Sequence, residues 1–429
     1  MVMRAISARW CCLTIALLVL AGCSETSTGT TTLGVSPPDS TLGVTSSSAE
    51  TTARNSTTSS SSPISTIPLA TEFPAIRSDV GLGWESVEIP TALVALCHRA
   101  VIATDTELVF WGGDERACDY ESPKGDPGMA YNPDTGMWRQ LPPSPLKPAV
   151  APTGVWTGSE VIICCGMTGL RQAAAYNPAD DTWREVADPP LIGPKFAKSV
   201  WMGAEMLVVT QQGAFSYDPA TDEWRNFASS PQGLGWTNEI AWTGSELIVW
   251  PSTVERRVHQ GLALDPEADS WRVLPDPPAW PAALSLAYTG DALIIWGGLP
   301  AHFVGSERAV GSKLDLDTNT WTEIPEALPE PDGCECNLGS QTLTWTGEYV
   351  LVSPGMFSTG IDPTKPVLLA YHPDSDTWTL VDDDSPIGGG GRSLSLDQRL
   401  VMLYDRILFV SPPGWQPTGR FITADSWNE

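Results

Sequence analysis

Six cysteines, four histidines and a scatter of arginines and tryptophans are the residues of this chain best suited to chemistry. Cys97, Cys118, Cys164, Cys165, Cys334 and Cys336 are even in number, which suits disulfides in an oxidising compartment, although spacing does not choose among the pairings. Zinc suits them less, because Cys164-Cys165 and Cys334-Glu335-Cys336 lack the gap of at least two residues found in zinc knuckles. The histidines are His98, His259, His302 and His372. His259 and His302 fall in neighbouring connections, and two imidazoles do not define a metal site, so neither a metal nor a cofactor is expected. Trp236, Trp280, Arg256, Arg257 and Arg308 lie in the same connections or beside them. Aromatic faces and guanidinium groups can stack on a sugar or grip an anionic segment of a partner. No Gly-x-Ser-x-Gly elbow and no glycine loop opening a helix is present, so neither a serine triad nor a nucleotide site has support.

The chain opens with two arginines, Arg4 and Arg9, and an apolar run from Trp10 to Leu20, too short to span a bilayer and typical of an export signal. The run ends in Leu20-Ala21-Gly22-Cys23, which resembles the lipobox of bacterial lipoproteins. That resemblance implies removal of residues 1–22, diacylation of Cys23 and retention at the outer face of the cell membrane. Each buried methylene of such a chain contributes ~0.8 kcal/mol. Residues 23–80 are rich in Ser and Thr and poor in aromatics, a composition that cannot bury a core and reads as a disordered tether.

The whole chain carries a net charge of −27. The first 22 residues hold two arginines, and residues 23–80 hold five acids and two arginines, which leaves −26 on the remainder. An acidic body repels phosphate backbones, so no nucleic-acid partner is expected. The 46 acids that remain cannot be narrowed to a catalytic pair without geometry.

Internal repetition sets the architecture. Six segments align, each with six residues between its first position and its tryptophan: Tyr131 to Trp138, Tyr176 to Trp183, Tyr217 to Trp224, Leu264 to Trp271, Leu314 to Trp321 and Tyr371 to Trp378. Asn or Asp in five copies and His372 in the sixth, followed by Pro in all but the Asp315-Leu316 copy, opens a turn between two strands. A second element precedes each segment, as in Trp156-Thr-Gly-Ser-Glu-Val-Ile-Ile163 and Trp242-Thr-Gly-Ser-Glu-Leu-Ile-Val249. It joins a strand ending in an aromatic to a short apolar run, the pattern of a strand covered on both faces. Four strands per unit and no helical periodicity predict an all-β fold of stacked four-stranded units.

The Tyr-to-Trp spacing, with Gly112-Gly113 after Trp111 and Gly297-Gly298 after Trp296, resembles the kelch repeat. The resemblance covers residues 81–415 and implies a seven-bladed β-propeller, with six blades the less favoured count, followed by a tail at 416–429. Seven Thr-Gly-type elements but six Tyr-to-Trp segments leave the last blade one outer strand short. Residues 83–90 are expected to supply it by pairing with 406–410, in preference to a strand begun at Trp415. Kelch propellers include copper oxidases, and the wider propeller class includes glycan-active enzymes. The expected role is a non-catalytic binding or scaffold module for an extracellular protein or glycan, with an oxidase or glycan-active enzyme as the alternative.

Overall fold

A computed structural model describes residues 72–75, 77–81, 83–91, 93, 98–113, 128–167, 171–191, 196–235, 237–252, 260–278, 284–297, 310–325, 342–353, 368–382, 392–396, 399–404, 407–411 and 420–422. Among these residues every regular element is a strand. Three lead in: β1 (Glu72–Pro74), β2 (Arg77–Gly81) and β3 (Trp84–Glu88). Six runs of four follow. They are β4 (Ala100–Ala103), β5 (Leu108–Trp111), β6 (Met129–Asn132) and β7 (Met137–Gln140); β8 (Thr153–Trp156), β9 (Val161–Cys164), β10 (Ala173–Asn177) and β11 (Thr182–Glu185); β12 (Lys198–Trp201), β13 (Met206–Thr210), β14 (Gly213–Asp218) and β15 (Glu223–Asn226); β16 (Thr237–Trp242), β17 (Leu247–Ser252), β18 (Leu262–Asp265) and β19 (Ser270–Val273); β20 (Ser285–Tyr288), β21 (Ala292–Gly297), β22 (Val310–Asp315) and β23 (Thr320–Glu323); β24 (Thr342–Trp345), β25 (Val350–Ser353), β26 (Leu368–His372) and β27 (Thr377–Asp382). The chain closes with β28 (Arg392–Leu396), β29 (Arg399–Tyr404), β30 (Ile407–Val410) and β31 (Arg420–Ile422).

Each run of four is an antiparallel meander, and β28, β29 and β30 begin a seventh sheet. Its fourth strand is β3, paired with β30 from Glu85↔Val410 to Glu88↔Ile407, so the expected N-terminal pairing is present. First strands of successive sheets lie side by side from β4 through β28, and β28 also meets β4. This all-β arrangement of repeated four-stranded units is compatible with a β-propeller.

The strands extend past the boundaries expected at 81 and 415. β1 pairs with β7, β2 with β3, and β31 with β27, each adding a strand to the outer edge of a sheet. Residues 72–80 thus include strand where a tether was expected, and the C-terminal tail contributes one as well. These additions change what is buried. Trp138 and Trp378, on the covered strands, are 0% and 2% exposed, whereas Trp183, Trp224, Trp271 and Trp321 on β11, β15, β19 and β23 remain partly exposed. Among the described residues those four strands carry no further neighbour.

The second strands of the first three sheets, such as Leu108-Val-Phe-Trp111 and Val161-Ile-Ile-Cys164, are buried along their whole length because both faces of the sheet are covered by neighbours. Every repeated pair sits in register, Tyr131 opposite Trp138 and Leu314 opposite Trp321 among them. The turn between third and fourth strands is closed twice. Its first residue caps it, as when Asn132 Oδ1 accepts the amides of Asp134 and Thr135 at 2.9 and 3.0 Å. Its last residue is left-handed in all six copies, at Gly136, Asp181, Asp222, Asp269, Asn319 and Asp376. Glycine, asparagine and aspartate are the types that tolerate this conformation.

Candidate functional site

A meander gives each sheet two ends of different character. One end carries the Thr-Gly and Asx-Pro turns. The other carries the connections from second to third strand and from each fourth strand to the next sheet. Many polar side chains near the turn end hold neighbouring segments together. The indole N–H groups of Trp183, Trp224, Trp271, Trp321 and Trp378 reach across to carbonyls of Pro142, Ala187, Ala228, Pro275 and Pro325, just after the fourth strand of the preceding sheet, at 2.7–3.0 Å. Arg139 grips both carboxylate oxygens of Glu107 at 3.0 and 2.6 Å and reaches Asp181 of the next sheet at 2.9 Å. Arg184 with Glu160 and Arg272 with Glu246 repeat the grip.

The left-handed aspartates join the same network. Tyr176 and Tyr217 donate to Asp181 and Asp222, each at 2.7 Å, and Tyr371 donates to Asp376. Burial, reinforced by Asp222, pushes the Tyr217 phenol up to about 12. The Ala187 amide and the Tyr217 hydroxyl hold the Asp222 carboxyl below the usual carboxylate range. Burial opposes the same effect at Asp376, but the Tyr371 hydroxyl and Lys313 outweigh it. A depressed carboxyl stabilises the fold in full above its unfolded pKa, near 4, and ceases to do so as pH falls toward its folded value. Thermal midpoints should therefore decline as pH drops below about 4, and Asp222→Asn should lower the midpoint at pH 7 while flattening that acid decline. An unchanged acid decline in the variant would remove Asp222 from the account.

The residues expected to form a ligand face, Trp236, Trp280, Arg256, Arg257, His259, His302 and Arg308, lie outside the described residues, as do Cys23, Cys97, Cys118, Cys334 and Cys336. Residues 253–259 connect β17 to β18 and residues 298–309 connect β21 to β22, so both connections belong to the loop end. His98 precedes β4 rather than lying within it, and its carbonyl accepts the Ala151 amide at 2.7 Å. His372 ends β26, where its Nε2 lies 3.0 Å from Thr379 Oγ1. Among the described residues no group of three or more His, Cys, Asp and Glu side chains could hold a metal ion.

Two features of the loop end come from the described residues. Where β8, β12 and β16 begin, Lys198 Nζ lies 3.3 Å from Glu239 Oε1 and Thr153 Oγ1 lies 2.6 Å from Ser199 Oγ. All four side chains are partly exposed. The second feature is a disulfide between adjacent residues, Cys164–Cys165, buried at 2% and 4% exposure. No protein-family model matches this chain, and no curated protein matches it.

The polar group at the strand starts was missed in the sequence for want of one alignment. Three residues before the aromatic of the five Thr-Gly elements that carry one stand Thr153, Lys198, Glu239, Ser285 and Thr342, polar in all five although the strands that follow are largely apolar; the first sheet has Ala100 there. Hydroxyls beside a mutually neutralised ammonium and carboxylate offer donors and acceptors without net charge. That chemistry suits a neutral polar ligand, for which directed hydrogen bonds rather than charge supply selectivity.

Proposed function

We propose that this chain is an exported lipoprotein, anchored through Cys23, whose seven kelch-like blades form a β-propeller that binds a protein or glycan at its loop end without catalysing a reaction. The observation that carries this reading is the polar group at the starts of the first strands. Thr153, Lys198, Ser199 and Glu239, drawn from three neighbouring sheets, bond to one another there and stay partly exposed. Closure as a seven-bladed ring is supported by the β3–β30 pairing and by the contact of β28 with β4. A ring closed by joining its two ends has no free inner edge to aggregate, and its loops converge around one mouth. Hydroxyls beside a paired ammonium and carboxylate suit a saccharide or a peptide segment better than a nucleotide.

The test has two stages. Cells making Cys23→Ala should release the protein from the membrane fraction with its fold intact, and the released protein should then be screened by thermal shift against glycan fragments, peptides, calcium and copper. A ligand at 100 times its Kd raises stability by about 2.7 kcal/mol, and Glu239→Gln should weaken that shift. Retention of the variant in membranes would refute the anchor. Stoichiometric copper or turnover of a sugar would replace the binding reading with an enzymatic one.

A further inference from the structure

We infer that the Cys164–Cys165 disulfide is a redox-set lock on the loop end of the second sheet. The sheets show what the lock does. After β5 the chain leaves through Gly112 and Gly113, at φ 69° and 108°; after β9 it leaves through Cys165 and Gly166, at φ 68° and 102°. The two corners are the same, but in the first sheet a glycine enters the left-handed region and in the second a cysteine does. L-residues with a Cβ resist that conformation. A bond from Cys165 Sγ to the preceding Sγ closes a small ring around the intervening peptide and narrows the backbone choices of both residues.

This corner supports more than itself. Met167 donates its amide to the Val150 carbonyl at 2.8 Å, as Gly113 does to Ala149 in the first sheet. The Cys165 amide donates to the Gln172 carbonyl, and the Gln172 side chain bonds both the amide and the carbonyl of Lys147, at 3.0 and 2.9 Å. Cys165 thereby sets the position of the strand-to-strand connection after β9 and of the segment that leads from β7 to β8. Cys164 and Cys165 belong to one buried apolar cluster with Ala173, Ala175, Val186, Leu191 and Ala197, so a reductant reaches the bond when this corner opens locally rather than from bulk solvent.

Opening the lock needs two electrons, and a dithiol reductant supplies them. One of its thiolates attacks a cysteine sulfur, the Sγ–Sγ bond breaks and a mixed disulfide forms. The reductant's second thiolate attacks its own sulfur in that mixed disulfide, so the reductant leaves as a disulfide and the two protons it gave up end on the Cys164 and Cys165 sulfurs. Cys165 is then free to leave the left-handed region, and the bonds at Gln172 and Met167 loosen with it.

The experiment compares the oxidised and dithiol-reduced full-length protein by amide hydrogen exchange, with alkylation and mass mapping to score the bond. Reduction should speed exchange at residues 146–151 and 165–172 about tenfold, the scale set by releasing one strained left-handed residue, while β17 to β19 stay protected. Cys165→Gly supplies the same φ without a disulfide. Its exchange should match the oxidised protein and should not respond to the dithiol at this corner. Because other disulfides could also respond, Cys164→Ala/Cys165→Gly serves as the second variant and should behave identically. Equal exchange in oxidised and reduced wild-type protein would overturn the lock, and so would free Cys164 and Cys165 thiols in native exported protein.

Discussion

Removal of residues 72–90 should unfold the body rather than trim it. Val87 of β3 and Ile89 just beyond it enter the core at 0% and 5% exposure, clustered with Val401 and Val410 of the seventh sheet and Leu108 and Phe110 of the first, and Trp84 of β3 is buried too, at 5%. Each buried apolar side chain of this size contributes about 1.5–3 kcal/mol, so the three together rival the roughly 5–15 kcal/mol that holds an ordinary domain folded. The strand edges of β30 and β7 would be uncovered at the same time. Urea unfolding of residues 66–429 and 91–429 should show a cooperative transition in the first and aggregation or a lost transition in the second. Among the described residues, deleting 416–429 removes β31 alone, three paired residues on β27, and should cost far less. If the two deletions prove equally mild, the β3–β30 pairing is not what joins the ends.

Trp138→Ala should be the most damaging of the single tryptophan replacements along the fourth strands. Its ring is fully buried, 4.8 Å from Tyr131 and 5.4 Å from Phe110, with β1 paired over its strand. Truncating a buried tryptophan leaves a cavity that costs about 3–5 kcal/mol. Trp271→Ala, on the uncovered strand β19, loses one hydrogen bond and a partly exposed contact, and should cost less than half as much. Chemical denaturation of both variants measures the difference. Equal losses would mean that β1 does not shield Trp138.

Much of this architecture was readable in the residues. The Tyr-to-Trp spacing placed six hairpins in register, and Trp84-Glu85-Ser86-Val87 resembled an outer strand closely enough to foretell its pairing. β1, β2 and β31 were not legible, for a physical reason. A strand added to an outer edge needs mainly backbone hydrogen bonds, so Glu72-Phe73-Pro74 and Arg420-Phe421-Ile422 show little of the alternation that a half-buried strand imposes. Cys164 and Cys165 were expected to be disulfide-bonded, and they are, but spacing left their partners open. The positive φ of Cys165 is a property of the corner, and only superposition on Gly112 reveals the shared role. At the site, Lys198 and Glu239 looked like ordinary charges, since pairing between them depends on β12 lying beside β16.

The indole-to-carbonyl bonds also bear on how such a chain can change in length over generations. Each of the first five sheets offers a carbonyl that the next receives through an indole, so a unit gained or lost within that series would find its docking groups already in place on both sides. The first sheet offers a carbonyl but has a different seam. Trp138 and Tyr131 have polar atoms without hydrogen-bond partners among the described residues, and Gly136, over which Arg77 lies, stands where later units have an aspartate or asparagine. Duplication is therefore open to the middle of the series and closed to the unit at its seam.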